Sequence, residues 1–428
     1  MSIDQRELSR RLKVAREACH LTQDQVASQL GVSRSSVAQI ELGNRAVSSL
    51  ELDRLSHVFG RHITDFLGES FDDTDALVVL FRIDPEVADD PRMNPVLRQC
   101  VTLCRESTNL ESLLDLGERT LFPALYPVPI PGGKWEAIQQ GDRIARLERR
   151  RLNLGHAPLA DVAKVLEPQG IRCAVLPMLD DVSGLFMASA AIGLCVVINQ
   201  NHHPRRQAFS YAHEYAHLLL DRARCSNVSR QRNRDELVEV RANAFAASFL
   251  MPEGAVRDFV QSLGKGQESR ASAAAFDESD VVLAQHRSPP HSQDVQLYDI
   301  VQLAHHFGVS FDAAVYRLRN LRLLTDPEKD KLLQRKQDAS SLHALLDRSS
   351  TAGRRSSSKG HPAFQGLFTA RFARLALEAY RRDLITRRKL AELAGLIDLS
   401  EAKLTEILQK AGLDDTVEMS LNDVRIPA

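Results

Sequence analysis

Phe209-Ser210-Tyr211-Ala212-His213-Glu214-Tyr215-Ala216-His217-Leu218-Leu219-Leu220 carries two histidines four residues apart, with a glutamate directly after the first. On an α-helix, residues four apart stack on one face, so His213 and His217 present two imidazole nitrogens to one point. Glu214 is rotated about 100° around the axis. Its carboxylate can therefore reach a water beside that point without being a ligand. Zinc accepts neutral imidazole, leaves a position open for water and lowers the pKa of that water toward about 7, so that a glutamate can take its proton. Another divalent ion is the alternative cofactor. The competing reading is a buried amphipathic helix whose histidines are ordinary core residues.

The surroundings favour the metal. Leu194-Cys195-Val196-Val197-Ile198-Asn199 reads as a strand, followed by a polar loop and then the helix. An edge strand beside a metal can pair with the backbone of an extended peptide. A third ligand has to come from elsewhere. Asp221 is eight residues from His213, about 12 Å along the axis, and fits better as a group that orients His217. Glu239 is the stronger candidate, at the start of a helix that runs to Leu250 and stops at Met251-Pro252. Ala242 and Ala246 share its stripe and would let that helix come close. Asp235 and Glu236 are the alternatives, and a first-turn glutamate serving only the helix dipole is the simpler account.

His-Glu-x-x-His followed by Glu-x-x-Ala-Asn-x-Phe-Ala-Ala-x-x-Leu-Met-Pro resembles the ImmA/IrrE family of zinc metallopeptidases, over about Arg143 to Met251 with a weaker helical extension to about Leu324. The resemblance implies that His213, His217 and Glu239 hold zinc and that Glu214 is the catalytic base. It also implies a protein substrate, since members cut helix-turn-helix repressors and so relieve repression under stress or in mobile elements. Asp221 departs from the pattern, standing where a further histidine is common.

With 428 residues, 43% hydrophobic and 26% charged, the chain is long enough for about three soluble domains. A net charge of −1 excludes bulk basicity as the basis of nucleic-acid binding, so any such surface is local. No apolar run is long enough to span a bilayer, and Met1-Ser2-Ile3-Asp4 begins no signal peptide. Cys19, Cys100, Cys104, Cys173, Cys195 and Cys225 are scattered and form no disulfide framework. The expectation is a cytoplasmic protein with no membrane association. Cys100 and Cys104, four apart on a predicted helix, read as buried thiols, with metal binding or oxidant sensing the minor alternative.

Residues 6 to 67 predict five short helices. Thr22 caps Gln23 to Leu30, which ends at Gly31, and Ser33 caps Arg34 to Leu42, which ends at Gly43. Two short helices joined through Gly31-Val32-Ser33 make a helix-turn-helix whose second helix can enter the major groove. The run from Leu21 to Gly43 resembles the XRE (Cro/repressor-like) family, over nearly all of residues 6 to 68. Val37 and Ile40 face inward, leaving Arg34, Ser35, Ser36 and Gln39 outward, where Arg suits guanine and Gln suits adenine. The family pattern implies that Gln23 and Asn44 contact phosphate, with Arg45 beside them. Residues 1 to 70 balance acid and base, so a double-stranded operator would be bound by a homodimer on two half-sites. A solvated helix face, or a helix-turn-helix used for protein contact, is the alternative.

The fold class expected is multidomain and mainly α, with an α+β zincin-like peptidase domain whose small sheet packs on the histidine helix. Its parts are a helix-turn-helix domain at 1–70, a helical connector with a Pro-rich linker at 71–134, and the peptidase domain with its helical extension at 135–337. A flexible linker at 338–362 and a basic helical module at 363–428 complete it. Within the peptidase region, Arg143, Arg146, Arg149, Arg150 and Arg151 read as a solvated face, Leu159 to Leu166 as a helix, and 262–294 as a mobile insertion, either lid or cleavable loop. His202 and His203 read as surface histidines. The C-terminal module, with basic residues outnumbering acidic ones several-fold in 354–395, either touches phosphate or dimerises. The leading function is a transcription regulator carrying a zinc endopeptidase that cuts a repressor or itself. The alternatives are a non-catalytic regulator using the peptidase fold as a sensor or partner-binding module, and a toxin–antitoxin or mobile-element component.

Overall fold

Local signals set the N-terminal helices. A computed structural model describes residues 4–18, 21–59, 63–68, 84, 86–87, 90, 92–116, 123–189, 191–222, 226–265, 270–277, 280–287, 293–350 and 367–413. Helices α1 (Gln5–Ala18), α2 (Gln23–Leu30), α3 (Arg34–Glu41), α4 (Ser49–Phe59) and α5 (Ile63–Leu67) form the first domain. Thr22 closes a capping box on α2, and Ser33 accepts from Ser36 N at the start of α3. Gly31 stops α2 in the left-handed region at φ 71°, where a Cβ is disfavoured. Leu12, Val26, Leu30, Val37, Ile40, Leu55, Phe59 and Phe66 close the core.

Helix α6 (Met93–Leu113) follows, then the proline-rich stretch from Pro123 and α7 (Lys134–Arg151). That stretch is not a free spacer. Ala124, Tyr126 and Val128 pack on the peptidase core, and Tyr126 N donates to Leu219 O at 3.0 Å. On α7, Arg143, Arg146, Arg150 and Arg151 are exposed as expected, and of the five arginines Arg149 alone departs from expectation. Arg149 is buried and donates to the carbonyls of Leu154, Gly155, Ala157 and Phe249, so it ties loop and helix ends together. Arg151 grips the buried Glu148, which also accepts from Tyr126 and Tyr215. The helix expected from Leu159 is cut to α8 (Ala163–Leu166), with Asp161 Oδ1 accepting from Lys164 N at its start.

Strands β1 (Ile171–Leu176), β2 (Val182–Ser189), β3 (Gly193–Asn199) and β4 (Ser226–Arg230) make one sheet in the order β1-β3-β2-β4. β1 runs parallel to β3, while β2 is antiparallel to β3 and β4. The predicted strand at Leu194–Asn199 is thus interior, and the edge beside the histidine helix is β4, which sequence periodicity did not reveal. Between them, α9 (Pro204–Leu220) and α10 (Leu237–Leu250) cover one face. Side chains alternate along β3: Leu194, Val196 and Ile198 join that core, whereas Cys195 and Val197 join a second one on the other face. The second core contains α6 together with α16 (Leu367–Arg381), α17 (Arg387–Gly395) and α18 (Glu401–Ala411). The C-terminal helices therefore serve as the lid on the sheet's far face.

Between α10 and those helices lie α11 (Glu253–Ser262), α12 (Leu297–Phe307), α13 (Phe311–Asn320), α14 (Asp326–Gln334) and α15 (Lys336–Ser350). The segment read as a mobile insertion contains an antiparallel hairpin, β5 (Arg270–Asp277) with β6 (Asp280–Arg287). The segment read as a linker from 338 begins inside α15, and its remainder from 351 lies outside the described residues. Among the described residues no helix is long and apolar enough to cross a membrane.

Candidate metal centre and helix-turn-helix surface

His213 projects from the second half of α9, His217 from its last turn, and Glu239 from the first turn of α10. All three are buried, and one donor atom from each lies within 4.8 Å of the others. The two Nε2 atoms are 3.2 Å apart, and Glu239 Oε2 is 3.0 Å from His213 Nε2, with Oε1 3.3 Å from His217 Nε2. Ligands about 2.0–2.1 Å from a tetrahedral ion sit about 3.3 Å from each other, so the donor spacing matches zinc. Asp235 and Glu236, the alternatives for the third donor, are exposed, and Asp235 pairs with Lys134.

The outer nitrogens are also fixed. His213 Nδ1 lies 3.0 Å from Asn243 Oδ1 and His217 Nδ1 lies 3.0 Å from Asp221 Oδ2, contacts that hold the Nδ1 protons and turn both Nε2 atoms toward Glu239. Asp221 in turn accepts from the fully buried Arg241 at 2.6 Å. Asn227, on β4, donates to Glu239 Oε1 at 3.1 Å. Asn243 could be found from its place four residues after Glu239. Asn227 could not, because nothing in the sequence pairs β4 with the first turn of α10.

Charge is arranged for a cation. Burial lowers the pKa of His217, but Asp221 and Glu239 outweigh it through hydrogen bonds and charge and raise it to about 10. Burial raises that of Glu239, yet hydrogen bonds and charge from both histidines hold it far below the carboxylate range. Glu214 is wholly buried, and neither carboxylate oxygen has a hydrogen-bond partner. Burial raises its pKa, against the pull of His213 and His217 and of the Ser229 hydroxyl on β4. Gly184 faces it from β2: a Cβ there would lie 3.1 Å from Glu214 Oε1 and 3.0 Å from Val197 O. An orphaned acid beside three converging donors fits a site that also takes a metal and a water.

In the first domain, α3 buries Val37 and Ile40 and exposes Arg34, Ser35 and Gln39, with Ser36 half-buried. Several of these groups hold one another. Gln23 donates to Glu41, itself paired with Arg16; Asn44 donates to Gln39 at 3.0 Å; Arg45 pairs with Glu51 at 2.6 Å. Ser35 and Ser36 both meet Ser33 Oγ, and Arg34 lies 3.6 Å from Asp24. His203 caps α9 and His202 meets Asp180 O, at the helix end remote from the metal donors.

Fold and site together define a helix-turn-helix domain joined to a metallopeptidase-like domain. Residues 167–319 match the peptidase family model described as the IrrE N-terminal-like domain, and residues 12–66 match the helix-turn-helix family model. The chain is a fusion of an XRE-type helix-turn-helix with an IrrE/ImmA-like domain. No curated protein matches it at a significant level.

Proposed function

We propose that this chain is a DNA-binding transcription regulator whose second domain is a zinc-dependent endopeptidase, acting on a repressor protein or on its own chain. The observation that carries the reading is the convergence of His213, His217 and Glu239 beside the orphaned carboxylate of Glu214. A divalent ion held by those three residues would supply Lewis acidity to water and to the scissile carbonyl. Glu214 then takes a proton from the water and passes it to the departing amine. Strand β4, the outermost of its sheet among the described residues, offers an extended peptide a backbone to pair with, and Asn227 on that strand links it to Glu239. At the other end, Arg34, Ser35, Ser36 and Gln39 would read base edges, while Gln23, Asn44 and Arg45 hold phosphate, in a homodimer spanning two half-sites.

The test is incubation of the full chain, alone and with separate helix-turn-helix repressors, with zinc and with chelator. Zinc-dependent, chelator-sensitive cleavage is expected, and which protein is cut tells the two substrates apart. Glu214→Gln should retain metal and lose about 10²–10⁴ in rate. Full metal loading with no cleavage of any substrate would leave a binding module, and undiminished cleavage by Glu214→Gln would remove that residue from its role.

A further inference from the structure

A second cluster of soft donors lies on the opposite face of the sheet. Cys100 and Cys104 are one turn apart on α6, and Cys195 rises to meet them from β3. Their three sulfurs lie within 4.8 Å of one another, all three residues are fully buried, and all are free thiols. Met187, opposite Cys195 on β2 and also fully buried, puts a thioether on the same face. Arg172, opposite Cys195 on β1, donates to Cys104 O at 2.7 Å, and its guanidinium is close enough to Cys104 to favour the thiolate.

We propose that Cys100, Cys104 and Cys195 form a metal site distinct from the histidine centre, for a soft d¹⁰ cation, with Cu(I) the ion the donor set favours. Metal–sulfur bonds of about 2.3 Å set ligand sulfurs about 4 Å apart, within reach of the spacing observed. Three mutually adjacent sulfurs suit a trigonal ion, whereas a disulfide would join two and strand the third. No imidazole or carboxylate belongs to this group, and thiolate with thioether selects Cu(I) over harder ions. The thiols release their protons to solvent as the ion enters, and Arg172 offsets part of the charge left behind. Occupancy would fasten α6 to the sheet, and α6 is the helix whose Arg98 donates to Val58 O of the first domain.

The experiment uses reduced, metal-free full-length protein titrated with chelator-buffered Cu(I), with Zn²⁺, and with Co²⁺ as a spectroscopic probe. Thiolate-to-cobalt charge-transfer absorption and one ion beyond the histidine site are expected in the wild type. Both should persist in His213→Ala and vanish in Cys195→Ser and Cys104→Ser. Competition between Cu(I) and Zn²⁺ at the thiols names the ion, and binding of either supports the site. A wild-type chain whose thiols take up neither Cu(I) nor Zn²⁺ overturns the proposal, a result that needs no folded variant. So does unchanged stoichiometry in folded Cys195→Ser, or conversion of the thiols to a disulfide with no metal taken up.

Discussion

Asn243 shares a stripe of α10 with Glu239, and its carbonyl oxygen fixes the ring that His213 turns toward the donor cluster. Replacing it by Ala removes that restraint while leaving all three donors. Metal affinity should fall about 10–100-fold, with the rate per bound ion nearly unchanged, read by chelator competition and by activity normalised to metal. Unaltered affinity would make Asn243 a bystander. A different residue sets a pH dependence. Glu167 has a buried carboxylate oxygen without a partner, and burial, opposed by Arg371, pushes its pKa up to about 7 from 4.5. The folded state therefore binds this proton more tightly than the unfolded chain does. Its contribution is fully present below about pH 4.5 and is lost as pH rises through about 7. Glu167→Gln should raise Tm at pH 8 and change it little at pH 4.5; equal shifts at both pH values would contradict the assignment.

At the scale of elements, the meeting of α7 with α10 decides where Glu239 stands. Gly141 lies so close to α10 that an added Cβ would come 2.4 Å from Arg241 O and 2.7 Å from Phe245 N. Backbone cannot yield as a side-chain tip can, so Gly141→Ala must separate the helices. A destabilisation of about 1–3 kcal/mol is expected by thermal denaturation, together with weaker metal retention. Loss of stability with intact metal affinity would show that α10 holds Glu239 without α7. The small residues Ala242 and Ala246 were legible as a close-approach stripe, whereas the approach of Gly141 of α7 falls on the neighbouring face, at Arg241, Ala244 and Phe245. The helix-turn-helix needed no such partner to be found. Its caps at Thr22 and Ser33 and its left-handed Gly31 are local events, complete within a few residues of chain.

For the whole molecule, the sheet is covered twice, by the helices that carry His213, His217 and Glu239 on one face and by α6 with the C-terminal helices on the other. Lys389 pairs with Glu106, and Arg371 pairs with Glu111 alongside Arg172, so two of the basic side chains of the C-terminal stretch tie it to α6. Truncation after residue 350 would strip α16, α17 and α18 from the second core, which they share with α6 and the far face of the sheet. The truncated chain should bind an apolar dye, melt at lower temperature and lose metal, whereas a melt like that of the full chain would mean the lid is dispensable. The sequence by itself determined the two domains' motifs, the one-turn stacking of His213 and His217, the place of Glu214 off their stripe and the inward face of α3. All of these follow from periodicity, capping and one-turn spacing, which act over a few residues. Only the tertiary structure decided that β4 is the edge, that Asn227 reaches Glu239, that Arg149 is buried and that Cys195 meets Cys100 and Cys104. Those contacts join residues far apart in the chain, and which face of a strand meets which helix is settled by burying apolar surface on both sides of one sheet.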